Sequence, residues 1–474
     1  MSTNWTKMRI LLAVIFILLL ASQSEAQLRL PAVISSGMVL QQNDSASLWG
    51  WGNPSEKVLI TTSWNNKTDT SIVNNRANWK IKVRTPAAGG PYSITLKGSN
   101  TIVLNDVMVG EVWICSGQSN MEWSYWNGLK DIKDELPNCY NSNIRFFNIP
   151  KTTANHPQDD VQAEWKICDS NTLKGFSAVG YFFGKKLNKD LNVPVGLINA
   201  SWGGTPAEVW TPEKIFDDDE ELRLSAARLQ SFRWWPNHDG LCYNAMIDPV
   251  TKFNIAGAIW YQGESNIGNN DTYYKLFTTM IKSWREAWKK DFPFYYVQIA
   301  PYKYGFNNVG ALVQEAQTKA MTMHNTGMVV ITDLVDNINE LHPPNKHDVG
   351  SRLANWALGA TYKQKNIVYK NPTYKSKTTN KNQVILSFDN AQKGFTSKSP
   401  ITGFFISAEK EEWYAAEVRF EKDKIIVWND NVPAPAHVRY GFGNTIIGSV
   451  SSKEGLPLCP FRTDTWHVDQ SPVK

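Results

Sequence analysis

Apolar and polar positions alternate in short runs from Gln27 to about Gly98. Ser45–Trp51, Val58–Trp64, Trp79–Val83 and Tyr92–Leu96 have this period of two, with turn residues at Gly52-Asn53-Pro54 and Ala88-Gly89-Gly90-Pro91. A period of two with turn signals between the runs predicts strands with one buried face, and therefore a small β-sandwich. From about Asp106 the pattern changes. Continuous apolar runs at 107–114, 195–199, 255–261, 294–299 and 327–331 alternate with helix-spaced segments at 176–187, 276–289, 312–323 and 347–361. Strands that are apolar on both faces and separated by helices predict a parallel sheet covered on both sides, an α/β domain. Within it, 211–239 is acidic and then Trp-rich, which reads as an insertion over one rim. After Lys365 the short strands return, at 383–388, 403–407, 417–420, 424–428 and 438–442, and 460–466 is expected to pack back on the main domain. The division expected is 27–105, an N-terminal β-sandwich module; 106–365, the α/β domain; and 366–474, a C-terminal β module.

The first 26 residues change the picture of where the chain works. Lys7 and Arg9 precede an apolar run from Ile10 to Leu20, and Ser24-Glu25-Ala26 offers a small-residue exit. Positive end, short apolar centre and small exit predict a secretory signal peptide over 1–26. The run is too short for a membrane span, so the mature chain is expected to be soluble and exported, to the extracellular space, a lysosome or a periplasm. An oxidising destination would allow the five cysteines up to two disulfides, with Cys115 the thiol left over. It would also make Asn43, Asn66 and Asn270 glycan acceptors, with Asn199 a poorer one because it ends a buried strand.

Composition excludes more than it assigns. The 49 basic and 44 acidic residues leave +5 on 474 residues, without a dense basic patch; nucleic acid is not an expected partner. No Cys or His spacing suggests a metal, and no cofactor is expected. Twenty tryptophans are many, and flat indoles are suited to the apolar faces of sugars.

The chemistry concentrates where the apolar strands end, the edge at which open α/β sheets hold ligands. The first such end runs into Ser116-Gly117-Gln118-Ser119-Asn120; a serine there can be presented as a nucleophile with its own N–H facing the developing oxyanion. The second runs into Ser201-Trp202-Gly203-Gly204-Thr205, where glycines permit close backbone approach and supply amide donors. The third ends in Gln262-Gly263-Glu264-Ser265-Asn266, a density of polar groups that is costly to bury without a role; Gln262 can donate to an oxyanion and Glu264 can orient an imidazole. His342 lies in the loop that follows the last predicted strand of the sheet. The other six histidines have no second catalytic-type group beside them in such a loop.

Taken together, Gly117-Gln118-Ser119-Asn120-Met121, Trp202-Gly203-Gly204-Thr205, the block from Trp260 to Asn266 and His342-Pro343 resemble the sialate O-acetylesterase family of the SGNH (GDSL-like) hydrolase superfamily, to which acetylxylan esterases are related. Gly37–Gln41, Trp49–Trp51 and Pro460–Asp464 extend the resemblance over nearly the whole mature chain. It implies removal of acetyl groups from sugar hydroxyls through an acetyl-enzyme. Ser119 would be the nucleophile and His342 the base, with an oxyanion hole of the Ser119 N–H, a glycine N–H at 203–204 (Gly204 preferred) and the Gln262 amide. Many superfamily members carry an Asp three residues before the histidine. Asn339 stands there, so Glu264 and Glu340 are the two candidates for the acid, Glu264 slightly ahead. Trp123, Trp202 and Trp260 flank these blocks and would shape the sugar side. Acetylated xylan is the nearer alternative substrate, and a sugar-binding protein with a degenerate hydrolase core is the non-enzymatic one. An anionic sialoside would favour a basic group, for which Lys130, Arg233 and Arg462 are candidates.

Overall fold

A single long strand joins two architectures. After β1 (Val39–Gln41), β2 (Ser45–Trp51), β3 (Lys57–Thr62), β4 (Thr68–Ile72), β5 (Asn78–Arg84) and β6 (Gly89–Lys97), the chain enters β7 (Thr101–Gly117). The first half of β7 pairs antiparallel with β6, up to Val109, while its second half lies between two parallel neighbours. The 105/106 border drawn from the sequence falls inside this strand. The computed structural model describes residues 27–398 and 400–473, so the expected signal peptide lies outside the described residues.

The central sheet continues with β8 (Asn141–Asn148), β9 (Trp165–Cys168), β10 (Val195–Ser201), β11 (Gly257–Tyr261), β12 (Phe294–Val297) and β13 (Thr326–Val329), in the order β13-β12-β11-β7-β10-β8-β9. All of these pair in parallel except β8 with β9. The order reverses around β7: the chain first forms β8 and β9 on one side, returns to place β10 between β8 and β7, then crosses to β11, β12 and β13. A crevice at such a reversal is where α/β sheets place their ligands.

Alternation along β7 explains why both faces are covered. Val112 and Ile114 enter a core shared with α3 (Asn270–Trp288) and α4 (Val309–Ala320), whereas Trp113 and Cys115 enter the core under α2 (Ala178–Leu191) and α5 (Lys346–Trp356). Trp260 has no exposed surface and packs edge-on against Trp210 and Trp284. This anchor belongs to the core and corrects its expected place on the sugar side.

The C-terminal region forms separate antiparallel sheets, among them Thr373–Asn380, Gln383–Asp389, Lys424–Trp428 and Glu417–Glu421 in that spatial order. Arg462 reaches back to α4 with a two-pronged bond to Glu315 at 2.7 and 2.9 Å, the fork geometry that suits a carboxylate. All five cysteines are buried free thiols, so neither of the allowed disulfides is present; the Cys168 Sγ donates to the Cys139 carbonyl at 3.1 Å. Among the acceptor asparagines, Asn43 and Asn66 are exposed, Asn199 is buried, and Asn270 is partly buried with its amide bonded to Ile267 and Gln470. No helix among the described residues is long and apolar enough to cross a membrane.

Candidate active site

β7 ends in a turn that only glycine permits. Gly117 has φ +133°, and a Cβ there would lie 2.2 Å from the Tyr261 carbonyl oxygen of β11. Backbone bonds pin the turn to both neighbours: the Gln118 N–H donates to Tyr261 and the Trp202 N–H donates to Gly117, each at 3.0 Å. The next residues form the short helix α1 (Ser119–Glu122). Its first amide, that of Ser119, has no acceptor among the described residues, as expected at a helix start.

His342 comes to this serine from the loop between β13 and α5. Its Nε2 is 2.9 Å from the Ser119 Oγ. The Glu340 Oε1 accepts from the His342 backbone N–H at 3.0 Å and faces the ring Nδ1 at 3.3 Å. Because an ionised carboxylate only accepts, this contact puts the ring proton on Nδ1 and leaves the Nε2 lone pair for the serine hydroxyl. Trp123 stacks on the imidazole with centroids 4.1 Å apart and planes within 18°. Burial holds the imidazole below its ordinary value, the Lys346 ammonium adds to that, and Glu340 acts the other way. The net effect favours the neutral imidazole.

Glu264, the carboxylate favoured from sequence, does not meet the histidine. Its Oε1 accepts from the Asn120 amide at 2.6 Å, and its Oε2 has no donor among the described residues. Glu340 occupies the position beside the imidazole; a strand-end block and a loop two residues from the base cannot be ranked without knowing the path of the loop. Gln262 is also engaged elsewhere. Its Nε2 donates to Asn266 at 2.6 Å and to the Thr205 carbonyl at 3.4 Å, its Oε1 accepts from Tyr273 at 3.1 Å, and the side chain is fully buried. That leaves no free amide for an oxyanion, correcting the third expected donor. Of the two glycines, Gly203 gives its N–H to the Glu122 carboxylate, whose other oxygen pairs with Lys151. The Gly204 N–H has no acceptor among the described residues, at φ +82° with the Trp235 ring packed where a Cβ would stand. A Cβ on Gly203 would lie 3.3 Å from that of Ser119, so this turn borders the serine directly.

Several residues here were not singled out from the sequence. Asn120 and Lys346 lie behind the serine, Glu208 holds Asn266 and Asn269 in a buried network, and Trp235 covers Gly204. Lys346 carried one readable signal: it opens α5, where the helix dipole disfavours a cation. Of the basic candidates, Lys130 pairs with Asp134 and Arg462 with Glu315. Arg233 lies over the Trp234 ring with no ion pair among the described residues, and the Trp234 carbonyl accepts from the Trp202 indole at 3.3 Å. Only Arg233 of the three lies on the segment that borders the site.

A family model described as carbohydrate esterase, sialic acid-specific acetylesterase matches residues 109–359. Sialate O-acetylesterases of Pongo abelii and Homo sapiens are 31% and 30% identical over 385 residues, which cover 73% of this chain and 73% of each relative. A solved structure of a carbohydrate acetylesterase from Xanthomonas citri superposes with a TM-score of 0.84 at 32% identity, over 93% of this chain and 100% of that one. The chain belongs to the carbohydrate esterase, sialic acid-specific acetylesterase family, and it is a carboxylic ester hydrolase.

Proposed function

We propose that the protein removes O-acetyl groups from sialic acid by a serine mechanism in which Ser119, His342 and Glu340 form the triad. The observation that carries this reading is the chain of contacts from the Ser119 Oγ to the imidazole at 2.9 Å and from the imidazole to Glu340 at 3.3 Å. Ser119 attacks the acetyl carbonyl carbon as its proton passes to the His342 Nε2. The oxyanion takes the free Ser119 and Gly204 amides, donors fixed in place before reaction and so needing no reorganisation. His342 then protonates the departing sugar oxygen, leaving an acetyl ester on Ser119; hydrolysis of that ester then yields acetate. Water, deprotonated by the same nitrogen, releases it. Glu340 holds the tautomer and stabilises the imidazolium without taking the proton.

The substrate side is drawn from Trp123, Trp202 and the exposed segment Phe232–Trp235. Trp234 is 72% exposed, and Arg233 beside it, without an ion pair among the described residues, suits the carboxylate of a sialic acid. The same exposed aromatic rings would also accept a neutral acetylated polysaccharide such as xylan, the second reading. In an exported chain the exposed Asn43 and Asn66 would be open to glycans.

Acetate release from O-acetylated sialic acid and from acetylated xylan, measured for wild type and Ser119→Ala, tests both parts. Loss of release in the variant with a preference for sialic acid supports the reading. A preference for xylan transfers it to the second substrate, and full activity in the variant removes Ser119 from the mechanism.

A further inference from the structure

Asn120 ties the nucleophile's turn to the end of β11 and to the histidine loop. It follows Ser119, its Nδ2 donates to the Glu264 Oε1 at 2.6 Å and to the Leu341 carbonyl at 3.2 Å, and its Oδ1 accepts from the Lys346 Nζ at 2.6 Å. Leu341 is the residue before His342. Lys346 has no exposed surface, and its nitrogen lies 5.5 Å from the centre of the Trp123 ring and 5.4 Å from that of Tyr261. Trp123 is the ring stacked on His342.

We infer that Lys346, acting through Asn120 and Trp123, is a positioning residue that fixes the nucleophile's turn against the histidine loop and sets a cation near the ring stacked on His342. The inference rests on the triad reading above. Burying an ammonium is costly unless it is paired, and an apolar side chain of similar volume usually serves packing better. This lysine also stands at a helix start, the end that repels a cation. Its placement is thus unfavourable on two local counts, and what it gains is the carboxylate of Glu264 beyond Asn120 and two aromatic faces. Burial pulls its nitrogen down to about 7, while Glu264, Asp131 and Glu340 act to raise it. On the other side of the pair, burial raises the Glu264 carboxyl and Lys346 lowers it. A positive charge at this place disfavours a second one on His342, against the opposing pull of Glu340.

The test compares Lys346→Gln, Lys346→Met and Asn120→Ala with wild type and Ser119→Ala, using p-nitrophenyl acetate across pH and far-UV circular dichroism for folding. Neutral Lys346 variants are expected to lose about tenfold in kcat with little change in KM. Their acid limb of kcat/KM should move up by roughly one pH unit, because the imidazole loses its cationic neighbour. Lys346→Arg should hold the limb near its wild-type position. Asn120→Ala, which keeps the charge and cuts the tie, should lower kcat about tenfold while the limb stays low. A folded neutral variant whose limb does not move overturns the inference. If neither neutral variant folds, unchanged kcat in Asn120→Ala overturns it. Activity in Ser119→Ala would instead bring down the triad reading itself, so the two failures are distinguishable.

Discussion

The two sides of the Ser119–Asn120 turn solve opposite problems. In front, Ser119 meets His342 and Glu340 at the water's edge; the Glu340 side chain is 51% exposed. Behind, Asn120 meets Glu264 and Lys346 with all three out of water. Each side has one carboxylate and one nitrogen base, yet only the front contacts the reacting oxygen. Water screens the front pair, which makes its contribution to stability small. The rear network is not screened, so any break leaves a buried group without its partner. Chemistry and rigidity are therefore divided between neighbouring residues of one turn.

The largest expected effect lies in front. Ser119→Ala should lower kcat by about a thousandfold or more, since triad members act as a unit, without changing the melting temperature measured by calorimetry. The two carboxylates should then separate sharply. Glu264→Gln removes the charge that supports buried Lys346 and should cost about 3 kcal/mol of stability, read by urea denaturation. Glu340→Gln should leave stability within about 0.5 kcal/mol while kcat falls about a hundredfold or more. Equal stabilities for the two variants would erase the distinction between front and rear.

A smaller effect is expected at the rim. Arg233→Ala should raise KM several-fold, by about 1 kcal/mol in binding, for O-acetylated sialic acid and not for p-nitrophenyl acetate. A uniform change for both esters would detach Arg233 from substrate recognition. The subtlest effect is in the pH profile. Burial and Lys346 depress the imidazole, so the reactive neutral form persists below the ordinary value of about 6.5. Activity should be fully present above that pH and be lost only as pH falls through the lower folded value. A limb at or above 6.5 would mean that Glu340, not burial, dominates.

Where periodicity is clean, the sequence was a good guide to the fold. The strands expected at 45–51, 195–199 and 424–428 correspond to Ser45–Trp51, Val195–Ser201 and Lys424–Trp428. Asn141–Asn148 and Trp165–Cys168 were not foreseen, because Asn-Ser-Asn opens the first and the second, at four residues, is too short to show a period. Strand ends were legible in the same way: Ser119 and His342 come together, and the Gly203 turn borders the serine, all at positions after apolar runs. The partners of Gln262, Glu264 and Trp260 were not. Whether a polar group at a strand end faces the crevice or a neighbouring asparagine depends on which face its residue presents and how the loops close over it. Those are tertiary facts with no local period. Asn120 and Lys346 share that limit, because 226 residues separate the two ends of one hydrogen bond.

The most direct measurement is rapid-quench peptide mapping of the wild-type enzyme during turnover of excess p-nitrophenyl acetate. An acetyl group carried by the peptide containing Ser119, absent when Ser119→Ala is treated alike, is the predicted result. An acetyl group on a different residue, or undiminished acetate release by Ser119→Ala, would contradict the account.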